Sequence, residues 1–490
     1  MDSEKENSNS VNKMKAYHDP DHLLVDFDNE KQTAGGSDDS SEDESSEETG
    51  SDIKFPRYNA QDLLQHIMRD LNNISNKEDC QKRKFSLLKL YEIFVLANNK
   101  APRGVYQELL PEVQKKLFKA LNDSKEKCRE LAALIIKEFF LQCEDLTLSI
   151  PYLLPILVEK LSAEDLEGID YLEEKMKPVQ NQKAQQMIDP PEKSEAVRVL
   201  IAEIMTIIVQ QTLFDLVRPY VDNITNICKA LCMDPYGDVI IQGTKAIAEF
   251  ARAGGDQLIH FCESMGRSLF TAFVHKHAKV RIAGLMALFD VMVCGAWKTS
   301  VHVLEHMVGF RDPNVVPIKE FYNPSTKLNY MAMFVTDRSI ATRECFYKTM
   351  AKLLIDLPDK CDHEGRIFPF LISGLYDPND GIKFMTFDLI EEIGQRHDEE
   401  NEEKFREIKQ FGYVPEWMHG GEIQNHHVSN RLPSPMKHRP NLGARILVKS
   451  YVRRYLKALY KEIGEWIEEY AERASNLLLY SICYVEEFMT

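Results

Sequence analysis

Two histidines one residue apart, His275 and His277, stand among Lys276, Lys279 and Arg281 in HKHAKVRIAGLMALFDVM, His275 to Met292. With His260 and Cys262 upstream they make HxC and then HxH, side chains of the kind that hold zinc, while the cations could hold phosphate. Side chains two residues apart on a helix point to different faces, and the spacing matches no common zinc pattern, so no metal and no cofactor is expected. The other clusters are weaker. His426 and His427 lie in a polar, proline-bearing stretch; Cys361 with His363 starts a helix; Cys228 and Cys232 sit one turn apart in an apolar helix; Glu391 and Glu392 fall on a solvated helix face. GxSxG, P-loop, HExxH and dinucleotide patterns are all missing, so no catalytic residue is assigned and an enzyme is not expected.

The elements that must position these residues are helices. From Tyr58 onward the apolar period is helical nearly everywhere: in YQELLPEVQKKLFKALND, Leu109, Val113, Leu117 and Leu121 recur at helix spacing, and ELAALIIKEFFL follows a short polar turn. Strand alternation is nearly absent. Helices such as LMALFDVM are apolar around more than half their circumference, which suits a helix packed against both its hairpin partner and the next hairpin.

A repeated register accounts for the opening stretch. Asp123 is followed six residues later by Arg129, Asp337 by Arg343, Asp377 by Lys383, Asp234 by Ile240, and His275 by Arg281; Arg198 joins the series in EAVRVLIAEIM. The steps from Arg198 to Ile240, Ile240 to Arg281 and Arg343 to Lys383 are 42, 41 and 40 residues. Longer steps from Arg129 to Arg198 and from Arg281 to Arg343 contain polar, proline-bearing insertions near 163–193 and 311–330. A unit of this length, with a turn acid and a second helix opening on Val-Arg and alanine, resembles the HEAT repeat. The turn acid is expected to cap the second helix, and the arginine to pair with an acid of the neighbouring repeat, building a ladder.

The fold class is therefore all-α, a HEAT-repeat (armadillo-like) α-solenoid with a disordered acidic N-terminal tail. Residues 1–52 carry sixteen acidic and four basic side chains, net -12 of the formal -17. SDDSSEDESSEETGSD, Ser37 to Asp52, has no cation and no large apolar residue, so it cannot bury enough surface to offset its ordering entropy. The organisation expected is a tail over 1–54, a solenoid over 55–398, a linker over 399–443 and a final helical hairpin over 444–490. The N-terminus has no basic or apolar signal region and no 18-residue apolar run occurs, so the reading is cytoplasmic, away from membranes.

One cation series stands apart from the repeats. Arg445, Lys449, Arg453, Lys457 and Lys461 recur every four residues, a basic stripe suited to an acidic protein segment, this chain's own tail among the options. Nucleic acid is not expected, because the remaining folded body is mildly acidic and no aromatic platform interleaves with the stripe.

The long run SIATRECFYKTMAKLLIDLPDKCDHEGRIFPFLISGLYDPNDGIKFMTFDLIEEIG, then NEEKF (Asn401 to Phe405), then Arg439, Pro440, Leu442, Gly443 and Arg445, resembles the dynein axonemal assembly factor 5 family. The likeness covers about 58–490 and includes the DPYGDV turn and HKHAKVRIAG. It implies a cytoplasmic factor that helps preassemble outer and inner dynein arms of motile cilia, working with chaperones and other assembly factors and binding dynein intermediate and heavy chains. Repeat features alone fit equally a phosphatase regulatory scaffold or a nuclear transport receptor. Three departures stand out: the acidic tail, Ala471 where the family's last ladder cation would fall, and an end at Thr490 where the family continues through more repeats. SNLLLYSICYVEEFM would then present an apolar face without a capping repeat.

Overall fold

Along the chain a helix repeatedly ends in a short polar turn and a second helix begins beyond it. The computed structural model describes residues 59–97, 100–163, 190–308, 329–411, 432–464 and 468–485, all within the unit Pro56–Thr490. The expected tail over 1–54 lies outside the described residues, as does most of each insertion. The first four pairs are α1 (Ala60–Ile74) with α2 (Cys80–Tyr91), α3 (Arg103–Ala120) with α4 (Glu126–Gln142), α5 (Ile150–Leu161) with α6 (Glu195–Gln211), and α7 (Val221–Cys232) with α8 (Gly237–Gly254). Then come α9 (Cys262–Ser268) with α10 (Ala278–Cys294), α11 (Ser300–Val308) and α12 (Tyr330–Val335) with α13 (Ile340–Asp356), and α14 (Glu364–Ile372) with α15 (Asp380–Glu400). Among the described residues there is no strand.

Local chemistry sets where the second helices start. Ser194, Ser339 and Asn379 each accept a hydrogen bond from the amide three residues on, at 3.4, 3.4 and 3.2 Å, satisfying one of the free donors at the helix start. The expected cap was the turn acid itself. Instead the acid stands two residues earlier and accepts the amide of the cap residue: Asp337 from Ser339 and Asp377 from Asn379, both at 2.8 Å.

Apolar faces then stack the pairs into two layers. The second helices pack in chain order, α2 on α4, α4 on α6, α6 on α8, α8 on α10, α10 on α13, α13 on α15. The first helices make the other layer, α1 on α3 through α9 on α11. Aromatic rings fill the joints: Phe94 lies 4.7 Å from Phe139 and 5.7 Å from Tyr106, whose hydroxyl donates to the Phe94 carbonyl at 3.1 Å. The core runs continuously through the stack.

The last pair is built in reverse. Within the stretch expected as linker the chain forms α16 (Glu402–Phe411), and Asn441 caps α17 (Leu442–Ile463) by accepting from Ala444 at 2.9 Å. α17 packs on α15 as the next second helix. α18 (Glu468–Val485), which follows it, folds back into the first-helix layer against α14 and the turn Ser373–Tyr376. Its face of Ala474, Leu477, Tyr480, Tyr484 and Val485 is thereby buried, and Tyr480 stacks on Tyr376 at 5.9 Å. The helix expected to leave an apolar face uncapped thus buries one side in its own stack, while Leu479 and Ile482 on it remain exposed.

Close helix approach explains a glycine in α8. A Cβ at Gly243 would stand 2.7 Å from the backbone carbonyl carbon of Leu231, whereas one at Gly104 meets nothing within 4 Å. Gly243→Ala should lower stability by about 1–3 kcal/mol through overpacking, and Gly104→Ala should be neutral or gain up to about 1 kcal/mol from helix propensity. Thermal melts of the two variants against the parent check this contrast.

Candidate functional site

On most of the second helices an arginine four positions after the helix's N-cap position faces the next repeat. Arg129 lies on α4, Arg198 on α6, Arg281 on α10 and Arg343 on α13, each on the first turn of a second helix. Arg343 donates from Nε and Nη2 to the Asp377 carboxylate at 2.7 and 3.0 Å, and from Nη1 to the carbonyl of Asp337 at 2.6 Å. Arg198 does the same to Asp234 at 2.6 and 3.1 Å and to the Glu192 carbonyl at 2.9 Å. Arg281 sets Nε 2.6 Å and Nη2 2.7 Å from the Asp337 carboxylate and donates to the His275 carbonyl at 2.8 Å. Each rung thus joins a guanidinium, the turn of its own repeat and the turn acid of the next, with little water access.

Two rung members were not read from the sequence. Arg83 on α2 reaches Asp123 at 2.5 and 3.1 Å, and Arg129 reaches Glu192 at 2.7 Å through both Nε and Nη2. Glu192 falls inside the stretch assigned to an insertion, yet it stands six residues before Arg198, the same step that marks Asp123 and Asp337. Lys160 adds a further bond to it at 2.9 Å. Burial works to raise the Glu192 carboxyl, but Arg129, Lys160 and the Ser194 amide outweigh it and hold the group below the usual carboxylate range.

The series also breaks, in ways the spacing could not show. At Ile240 the rung is apolar: Ile240 packs with Ala272 and Val280. His275, in the aspartate position, accepts the His277 amide on Nδ1 at 3.2 Å, and its ring lies over Gly237, where a Cβ would stand 3.1 Å away. Lys383 does not extend the ladder, since it pairs with Asp380 on its own helix at 2.9 Å. Arg445 occupies the rung position of α17, four residues after the cap Asn441, and is nine-tenths buried. It therefore does not belong to an exposed stripe; Ala471 is the fourth residue of α18. Lys449 is half-buried, while Arg453, Lys457 and Lys461 are exposed and make no ion pair with a described residue.

The clusters with possible chemistry separate in the fold. Among the described residues no three His, Cys, Asp or Glu side chains gather as a metal site, and no cysteine is in a disulfide. His426 and His427 lie outside the described residues. Glu391, expected on a solvated face, accepts the Asn441 amide at 3.1 and 3.2 Å, and burial raises its carboxyl. His363 belongs to a constellation that local sequence did not reveal. Buried Asp359 accepts from Ser300 Oγ at 2.5 Å and from the Trp297 amide at 2.8 Å, and lies 3.2 Å from His363 Nε2. A nucleophilic triad needs the serine and the carboxylate on opposite ring nitrogens. Here both oxygens meet Nε2, and Ser300 gives its proton to Asp359. The trio fixes the turn at Trp297, whose backbone φ of 69° is strained for a residue with a side chain.

Arg343→Ala, which leaves Asp377 buried and without its guanidinium, should cost about 3 kcal/mol; urea denaturation measures it. The Asp123 carboxyl is raised by burial but held below its ordinary value by Arg83 and the Lys125 amide, which prevail. Its contribution is present above the unfolded aspartate value and is lost as pH falls through the depressed native one. Asp123→Asn should therefore destabilise at pH 7 by about 2–3 kcal/mol, and its gap to the parent should narrow below about pH 4.

A sequence family described as "Dynein axonemal assembly factor 5-like, TPR repeats" matches residues 74–176, 169–309 and 323–408. Proteins named dynein axonemal assembly factor 5 are similar as well. That of Xenopus laevis is 24% identical over 429 residues, covering 88% of this chain and 43% of the relative. Those of Mus musculus and Homo sapiens are each 23% identical, covering 80% and 76% of this chain and 39% and 37% of the relatives. The chain thus spans about two fifths of the length of the curated relatives it matches. Among solved structures, a designed armadillo repeat protein aligns over 58% of this chain and 98% of its own, at 15% identity and a TM-score of 0.36.

Proposed function

This chain belongs to the dynein axonemal assembly factor 5-like family, and on that premise we propose that it is a non-catalytic scaffold for the cytoplasmic preassembly of axonemal dynein arms. The observation that carries the reading is the family match, which runs through the laddered repeats from α2 to α16. Nothing in the ladder is arranged to turn over a substrate: its charges are paired across repeats and their hydrogen-bonding capacity is taken up by the fold. What is left for function is surface. No helix among the described residues is long and apolar enough to cross a membrane.

The proposed clients are dynein intermediate and heavy chains, delivered together with chaperones and other assembly factors. The exposed cations Arg453, Lys457 and Lys461 on α17 form the surface for an acidic segment of such a client. Exposed charges of this kind steer and orient more than they bind, and their effect is screened within about 8 Å at physiological salt.

Affinity purification from ciliating cells followed by mass spectrometry tests the assignment. The parent protein should recover axonemal dynein chains, and the triple variant Arg453→Glu, Lys457→Glu, Lys461→Glu should recover about tenfold less at low salt. Recovery of phosphatase subunits or nuclear-transport factors without dynein chains would replace the reading. Cells lacking the protein should build cilia that do not beat and whose dynein arms are missing; cilia with a full set of arms would sink it.

A further inference from the structure

Where the ladder ends, the molecule opens a cleft. It has a volume of about 260 Å³ and lies between the turns of α13 and α15 on one side and α18 on the other. Its lining includes four carboxylates, Asp337, Asp377, Glu469 and Glu472, against two cations, Arg343 and Arg473. Asp337 and Asp377 are held by Arg281 and Arg343, and Arg473 donates to Glu469 at 2.6 Å. Glu472 is exposed and makes no ion pair with a described residue, so the cleft keeps an unmatched negative charge.

A second observation is independent of charge. Tyr347 lines the same cleft, is fully buried, and its hydroxyl has no hydrogen-bond partner among the described residues. A buried hydroxyl without a partner is costly, and such groups are rare in native folds. A group that answers both the hydroxyl's lone pairs and the Glu472 charge combines a donor with positive charge. A metal ion does not fit, because no three ligating side chains converge there. The fold already shows which cation this register accepts: at five of the six rungs up to Asp377 a guanidinium reaches the next turn acid, the sixth being the apolar one at Ile240. Beyond Asp377 that supply stops, since Lys383 turns to Asp380.

We infer that this cleft binds an arginine side chain presented by a basic segment of a client, the guanidinium held by the Glu472 carboxylate and the Tyr347 hydroxyl. The identity of the client rests on the scaffold reading; the chemistry of the cleft does not. Guanidinium suits it better than ammonium because its planar fork can engage a carboxylate and a hydroxyl at once.

Fluorescence anisotropy with the full chain and a fluorescein-labelled Gly-Arg-Gly amide is the direct test, with lysine, citrulline and glutamate peptides as comparators. The arginine peptide should bind saturably at or below about 1 mM, lysine more weakly, citrulline and glutamate not measurably. Glu472→Lys should weaken binding at least about tenfold, as expected for reversing a charge that faces the ligand. Tyr347→Phe should weaken it about threefold or more while leaving Tm unchanged or raised, because it removes a hydroxyl that the empty protein leaves unsatisfied. Equal binding of the citrulline peptide, no binding of the arginine peptide, or an unchanged affinity in Glu472→Lys would each overturn the site. Arginine binding without recovery of dynein chains from cells would leave the site standing and remove the scaffold reading. Dynein recovery without arginine binding would do the reverse.

Discussion

The guanidinium–carboxylate rung between consecutive second helices is the constraint on which the stack depends. Each arginine closes two contacts at once, the carbonyl of its own turn and the acid of the next, and that acid in turn holds the amide of the residue that caps the next helix. A shift of one repeat against another would strand a buried charge, which is expensive. Against an apolar replacement, however, such a pair is close to neutral, and the molecule contains the comparison. At Ile240 the same position is filled by Ile240, Ala272 and Val280, and the stack continues. An apolar rung can thus stand in for a charged one without ending the stack, and the continuous apolar core supplies the rest of the contact between repeats.

Much of this was legible because it is local. A helix start, a cap and a cation four residues later lie within one short segment, so the six-residue step from Asp337 to Arg343 could be read without knowing the fold. What depended on neighbours could not. Lys383 has the right step and the wrong partner. Arg445 recurs with the stripe every four residues, yet its burial comes from its place at the start of α17. Periodicity also cannot tell whether a helix stacks ahead of its partner or behind it, so the return of α18 into the first-helix layer was not visible. The meeting of Ser300, Asp359 and His363 joins segments about sixty residues apart and leaves no short motif.

The repeat itself bears on family membership. The family description speaks of TPR repeats, units of about 34 residues, whereas the uninterrupted steps here are 40–42 residues with an interlocking ladder of acids and arginines. The longer unit and its ladder are those of a HEAT-type stack. Its terminal pair carries the exposed cations of α17 and the carboxylate of α18 that lines the cleft, so both features suited to a partner lie at the end of the ladder.

A double-mutant cycle on Arg198 and Asp234 tests the role of the rung most directly, because this pair is the most deeply buried of the rungs and neither side chain has a second ion-pair partner among the described residues. Arg198→Met and Asp234→Leu should each destabilise strongly when made alone. If the rung couples adjacent repeats, the double variant should recover at least about 1.5 kcal/mol relative to the sum of the two. Additivity within about 0.5 kcal/mol would mean that the two side chains act separately and that register is set elsewhere.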